Sequence, residues 1–97
     1  MNMIKYFVYI LLSVDHVHNY VGKTNDLKRR LIEHNRGEQV STKAYRPWKI
    51  VYTEEFLSEE AARSREEYFK TGLGREFKKE IIDNYIAGWS SGSSSGS

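Results

Sequence analysis

Seven consecutive residues, Tyr6-Phe7-Val8-Tyr9-Ile10-Leu11-Leu12, are apolar or aromatic at every alternate position of both registers. Successive side chains of a strand point to opposite sides, so such a run needs cover above and below. It predicts a central strand with a packing layer on each face. The turn-rich stretch Ser13-Val14-Asp15-His16-Val17-His18-Asn19 follows, then a second short strand, Tyr20 to Lys23. Strands this close in sequence pair as an antiparallel hairpin. With the turn near Val14 and Asp15, Tyr9 falls opposite Tyr20, and facing residues project to one side of the sheet.

The second strand runs directly into a turn, Gly22 to Asn25, and then a helix from about Asp26 to Asn35. Asn25, with Thr24 behind it, carries a side-chain oxygen suited to capping free N–H groups at the helix start. Leu27, Leu31 and Ile32 form its expected buried stripe. Arg30 and His34 are four residues apart and share one side. A tyrosine, a lysine, an arginine and a histidine are thus gathered by one strand-to-helix unit, with Gly22 leaving the backbone unobstructed. Those are groups that suit a phosphate.

The stretch 36–46 has no period and reads as a loop with three cations and one aromatic. Pro47 opens a third strand, Trp48 to Glu54, where a strand tolerates proline. Ser58, followed by Glu59 and Glu60, starts a helix. It is expected to reach about Thr71 and stop at Gly72. A last amphipathic helix runs from Gly74 through Phe77, Ile81 and Tyr85. From Gly88 the composition turns to glycine and serine, which predicts a domain over 1–87 and a flexible tail over 88–97. The order β-β-α-β-α-α makes an α+β fold: a small three-stranded antiparallel sheet flanked by helices.

Composition narrows the function class. No apolar run approaches bilayer length, so no membrane partner is expected. Met1 to Lys5 lack the pattern of a signal peptide. There are no cysteines, which excludes disulfides and thiolate metal sites and fits a cytoplasmic protein. The net charge of +2 is unevenly spread: residues 18–50 hold eight Lys/Arg against three acids, whereas 51–70 hold six Glu against three cations. A basic half suits a polyanion, though an uneven solvated surface gives the same pattern.

Glu66 stands out on the helix that starts at Ser58. Ala62, Glu66, Phe69 and Leu73 follow helical steps, so a carboxylate lies in line with the expected buried stripe. An inward carboxylate needs a cation, a metal or a cluster of donors beside it. An inward salt bridge to an arginine answers that need as well. Tyr9 and Tyr20 are residues that strands favour in any case. His34, near a helix end, gains from the helix dipole alone.

Taken together, Phe7-Val8-Tyr9, Tyr20-Val21-Gly22, Arg30, His34 and Glu66 resemble the GIY-YIG nuclease superfamily, in particular its small single-domain members, over about Tyr6 to Ile82. Spacing and order agree: eleven residues from Tyr9 to Tyr20, ten to Arg30, four to His34, then a glutamate inside a later helix. The first motif lacks its glycine. The asparagine of many relatives would fall near Lys78, with Asn84 the nearest alternative. The resemblance implies a three-stranded sheet with helices and metal-dependent hydrolysis of DNA phosphodiesters. It makes Tyr9 and Tyr20 the motif tyrosines, Arg30 the essential arginine and Glu66 the ligand of one Mg²⁺ or Mn²⁺ ion. Lys23 matches a lysine of the excision-repair subunits and His34 a histidine of the homing enzymes. Tyr9 is then the favoured general base. Lys28, Arg29, Arg36, Lys43 and Arg46 are expected to hold the backbone of DNA or RNA. Targeting would come from nucleic-acid structure, a partner protein or a homodimer. The alternative is a non-catalytic nucleic-acid-binding module on the same fold.

Overall fold

The computed structural model describes residues 4–95, and side chains for residues 4–88. The elements are β1 (Tyr6–Ser13), β2 (Asn19–Thr24), α1 (Leu27–Arg36), α2 (Val40–Lys43), β3 (Trp48–Phe56), α3 (Glu59–Tyr68) and α4 (Gly72–Ser95). The expected domain boundary at residue 87 falls inside α4. The tail expected over 88–97 lies outside the described residues from 89 on in its side chains, and from 96 on altogether.

The sheet is antiparallel, in the order β2-β1-β3, so the doubly apolar strand is central as its sequence requires. Val8, Ile10 and Leu12 face one core, where Ala62 and Phe69 from α3 and its C-terminal end meet Ile82 of α4. Tyr9 and Leu11 face the other with Trp48, covered by Leu27 and Leu31 of α1. A bulge in β3 shifts the register between Ile10 and Leu11. It places Ile50 and Trp48 with the α1 core while Tyr52 stays on the α3–α4 side.

Several boundaries differ from the sequence reading. Asp26, not Asn25, caps α1: its carboxylate accepts from Arg29 N–H at 3.0 Å, while Thr24 Oγ1 accepts from Asp26 N–H at 3.1 Å. Ile32 is exposed, so the buried stripe of α1 is Leu27, Leu31 and His34. The helix ends at Gly37, whose φ of 81° is open to glycine without penalty. The expected loop contains a one-turn helix, α2, and β3 runs on to Phe56. Ser58 caps α3 as expected. That helix closes at Tyr68, however, and Gly72 begins α4 instead of ending α3. Leu73 is exposed, so the inward line on α3 stops at Phe69.

Gly74, in the first turn of α4, lies against the end of α3. A Cβ there would fall on the Tyr68 carbonyl, 2.6 Å from its carbon, and backbone cannot step aside. A Cβ at Gly72 would meet nothing within 4 Å. Gly74→Ala is expected to destabilise by about 1–3 kcal/mol. Gly72→Ala should leave stability unchanged or raise it by up to ~1 kcal/mol. Urea unfolding of the two variants checks the contrast.

Candidate active site

The hairpin register is two residues wider than the turn near Val14 suggested. Tyr9 pairs with Gly22, and Tyr20 pairs with Leu11. The two tyrosines still share a face because both shifts are even. They sit diagonally, not side by side, and the Tyr9 phenol lies over Gly22. A Cβ at Gly22 would meet the Tyr9 hydroxyl, would lie 2.5 Å from its Cζ, and would reach the Tyr20 ring at 3.0 Å. Gly22 therefore makes room for a phenol of its own protein.

The Tyr9 hydroxyl is the hub. It meets His34 Nε2 at 2.8 Å and accepts from Arg30 Nε at 3.3 Å. Arg30 also donates through Nη1 to Glu33 Oε1 at 2.9 Å. With its carboxamide oxygen turned inward, Gln39 accepts from Arg30 Nη1 at 3.2 Å and from Nη2. His34 is fully buried, and its Nδ1 meets Thr42 Oγ1 at 2.8 Å. The Tyr20 ring lies 5.2 Å from the imidazole, tilted by 60°. Arg30 and His34, one helical turn apart, thus converge on one phenol from β1. Among the described residues no buried side-chain nitrogen or oxygen lacks a hydrogen-bond partner.

Burial pushes the Tyr9 hydroxyl up to about 12, with Tyr20 and Glu66 adding to the effect and Arg30 opposing it. Burial, and then the Arg30 cation, push the His34 imidazole below its usual range. His34 is therefore a neutral, doubly bonded imidazole. That replaces the dipole contact its sequence position suggested, which needs a charged ring.

Glu66 is half-buried on α3 and Glu67 beside it is exposed, as the helical arithmetic predicted. The inward salt bridge to an arginine is not formed. Among the described residues Glu66 makes no ion pair, and its charge is felt at Tyr9. No group of three potential ligands surrounds it among the described residues. One half-buried carboxylate without a cation suits a hard divalent ion that keeps most of its waters, and does not suit an all-protein cage.

Lys23 stands opposite Val8, on the other face of β2 from Gly22. Its ammonium goes to Glu59 Oε2 at 3.2 Å and not to Tyr9. Even so, Lys23 and Arg30 line one cleft of about 260 Å³ with Tyr6, Asn25, Arg29 and Glu59. Lys28, Arg36, Lys43 and Arg46 are exposed outside that cleft, and Arg29 is exposed on its rim. Arg36 pairs with Glu38 at 3.8 Å, and Arg46 Nε donates to the Lys43 carbonyl at 2.9 Å. Asn84 is exposed on α4 beside Glu80 and Asp83 and takes no part in the cleft. Sequence reasoning missed Thr42, Glu33, Gln39 and Glu59. Only Glu33 carried a signal, at one helical step from Arg30 and Arg29.

The model of the GIY-YIG catalytic domain matches residues 5–80 of the chain. A UPF0213 protein of Limosilactobacillus reuteri is 36% identical over 85 residues, spanning 84% of this chain and 88% of that one. A UPF0213 protein of Streptococcus pyogenes serotype M3 is 44% identical over 79 residues, spanning 80% and 85%. The solution NMR structure of a UPF0213 protein from Bacillus halodurans is 32% identical, covers 81% of this chain and 83% of its own, and aligns with a TM-score of 0.48.

Two titrations follow from the geometry. A histidine whose pKa is lower folded than unfolded holds fewer protons in the native state just below the unfolded value of about 6.5. The stability His34 contributes is whole above that pH and is lost as pH falls through it. Urea midpoints between pH 8 and 5 should decline for the wild type, and less steeply for His34→Gln. For Tyr9, the raised pKa means the native state keeps a proton that the unfolded chain releases near pH 10. Tyr52 is raised too, by burial and then by Glu54, so the Tyr9 ionisation is read as the tyrosinate step near pH 12, or the step released only on unfolding, that differs between wild type and variant. Tyr9→Phe should remove that step.

Proposed function

This chain belongs to the GIY-YIG catalytic-domain family, a nuclease-type family, and from that premise we propose that it is a metal-dependent endonuclease hydrolysing DNA phosphodiester bonds. The observation that carries the proposal is the meeting of Arg30 and His34 on the Tyr9 hydroxyl, with half-buried Glu66, which forms no ion pair among the described residues, as the acid the resemblance assigns to the metal. A binding module needs neither a buried phenol–imidazole pair nor an inward acid.

The scissile phosphate lies against Arg30, with Lys23, Arg29 and Asn25 along the cleft wall. Arg30 donates to the phosphoryl oxygens as their negative charge grows. Glu66 is the residue that would hold a Mg²⁺ or Mn²⁺ ion. The ion's contribution when bound is Lewis-acid stabilisation of charge on the phosphate and the leaving oxygen. A Tyr9 hydroxyl raised to about 12 is a poor standing phenolate, present in roughly one molecule in 10⁵ at pH 7. Its role is relay. As the water oxygen bonds to phosphorus and the bond to the leaving oxygen breaks, the water's proton passes to the Tyr9 oxygen, and the leaving oxygen departs as an alkoxide that takes a proton from solvent water. The Tyr9 proton passes to neutral His34. Tyr20, half-buried beside the imidazole, orients the water.

The exposed cations Lys28, Arg29, Arg36, Lys43 and Arg46 hold backbone phosphates. Such contacts give salt-dependent affinity with little sequence information. Cleavage is therefore directed by DNA structure, by a partner protein or by a second copy of the chain.

A nicking assay with Mg²⁺ or Mn²⁺ tests the assignment. Glu66→Gln should abolish cleavage while thermal unfolding stays within a few degrees of wild type. Arg30→Ala should lower kcat by about 10²–10³-fold. Cutting at the wild-type rate by the Glu66 variant would remove its role as metal ligand. Salt-dependent binding without any cleavage by the wild type would favour a binding module.

A further inference from the structure

We infer that Thr42 is a positioning residue: its hydroxyl holds His34 in the tautomer that carries the proton on Nδ1, and so aims the Tyr9 hydroxyl proton at Nε2. The consequence for catalysis rests on the nuclease reading above, whereas the tautomer itself does not.

Nothing in the stretch 36–46 predicted this residue. Only Thr42 in that stretch is buried, at 1% exposure, and the single turn of α2 carries its hydroxyl to His34. Its placement is over-determined. The Thr42 carbonyl accepts from Trp48 Nε1 at 2.8 Å. The Trp48 backbone is gripped in turn by Asn35 of α1, whose Nδ2 donates to Trp48 O at 3.1 Å and whose Oδ1 accepts from Trp48 N–H at 2.6 Å. The end of α1, the start of β3 and α2 thus form one closed frame around the imidazole.

A neutral imidazole has one N–H and one acceptor nitrogen, and its partners decide which is which. Arg30 can only donate, and it already gives Nε–H to the Tyr9 oxygen. Were Nε2 protonated, two N–H groups would point at that oxygen, and the phenol's own proton would have no acceptor. Tyr9 is 1% exposed, and among the described residues its hydroxyl bonds only to His34 and Arg30. A stranded buried donor is strongly disfavoured. With the proton on Nδ1, Tyr9 donates to Nε2, Nδ1–H donates to Thr42, and every bond has one proton. The Thr42 oxygen accepts from Nδ1–H while its own proton turns freely about the Cβ–Oγ1 bond, whereas the phenol proton is confined near the plane of its ring, where Nε2 lies 2.8 Å away.

The titratable and charged groups facing this pair are Arg30 and Glu33 from α1, Tyr20 from β2 and Glu66 from α3. Among the described residues none of them hydrogen-bonds Nδ1, so that nitrogen's proton is governed from Thr42.

The test is nitrogen NMR of ¹⁵N-histidine-labelled protein, read together with cleavage kinetics, for the wild type, Thr42→Ser and Thr42→Val. The wild type and the serine variant should both show the Nδ1–H form. The valine variant keeps the shape without the hydroxyl and should move the proton to Nε2, wholly or in part. Its kcat should fall about 10–100-fold with KM unchanged, and serine should restore the rate. If the valine variant does not fold, Thr42→Ala supplies the same deletion. An Nδ1–H signal that persists without the hydroxyl overturns the inference, as does a wild type protonated at Nε2. If the wild type cuts no DNA, the nuclease reading falls while the NMR comparison still decides the role of Thr42.

Discussion

The site depends on a run of polar contacts that leads from an otherwise apolar layer to the cleft: Thr42 to His34, His34 to Tyr9, and Tyr9 to Arg30. In that layer Leu11 is fully buried and Trp48 nearly so. Each polar group there is tolerable only while its neighbour is in place, because an unpaired buried donor or acceptor costs about 1–3 kcal/mol. The run is therefore cooperative in a plain sense: no member can leave without stranding the next. This explains why α2 is worth forming, although a four-residue helix has almost no stability of its own. It also explains why the imidazole is neutral. A charged ring would be desolvated and set beside Arg30.

The central strand divides the work of the protein. Its even-numbered side chains build the layer shared with α3 and α4, which is wholly apolar among its buried members. Its odd-numbered ones face α1, and Tyr9 among them meets Arg30 and His34. Lys23 and Glu59 sit at the margin between the two sides, where β2 ends and α3 begins. Ala62 and Phe69 anchor α3 in the apolar layer, and Glu66, one step along the same line, is half-buried.

Much of this was legible in the residues. The doubly apolar run announced a central strand, and Ser58 announced a helix start. The four-residue step from Arg30 to His34 announced a shared side. What the chain alone did not give was register. A turn centred on Val14 and Asp15 set the tyrosines face to face, but the loop spans Ser13 to His18, with His16 at a φ of 65° and Ser13 Oγ accepting from His18 N–H. That local polar turn displaces the pairing by two residues. Parity survived, so the shared face survived, and only the partner of each tyrosine changed. Asn25 and Asp26 are both good caps, and tertiary fit chose Asp26. Thr42 was illegible for a different reason. Its importance lies in contacts to His34 and Trp48 that no periodicity encodes.

The cleft has one further property, visible only in three dimensions. Its cations are already engaged. Lys23 is matched by Glu59, Arg30 by Glu33, and Arg29 by both Glu33 and the Asn25 amide oxygen. On the proposed nuclease reading, a phosphate entering there replaces carboxylates and does not meet bare charge. These pairs are at least partly exposed, so each is worth little on its own, and exchanging one acceptor for another is nearly neutral. The ready-made partners keep the guanidinium and ammonium groups extended and close to where they are needed. Binding then loses less side-chain freedom than it would from a disordered basic surface. The Arg30 guanidinium is held most firmly, because Nε is also tied to the buried phenol. Its Nη groups can trade Glu33 and Gln39 for phosphate oxygens without the Nε bond being broken. The hydrogen bond that orders the buried site also aims the one cation that enters the cleft from it.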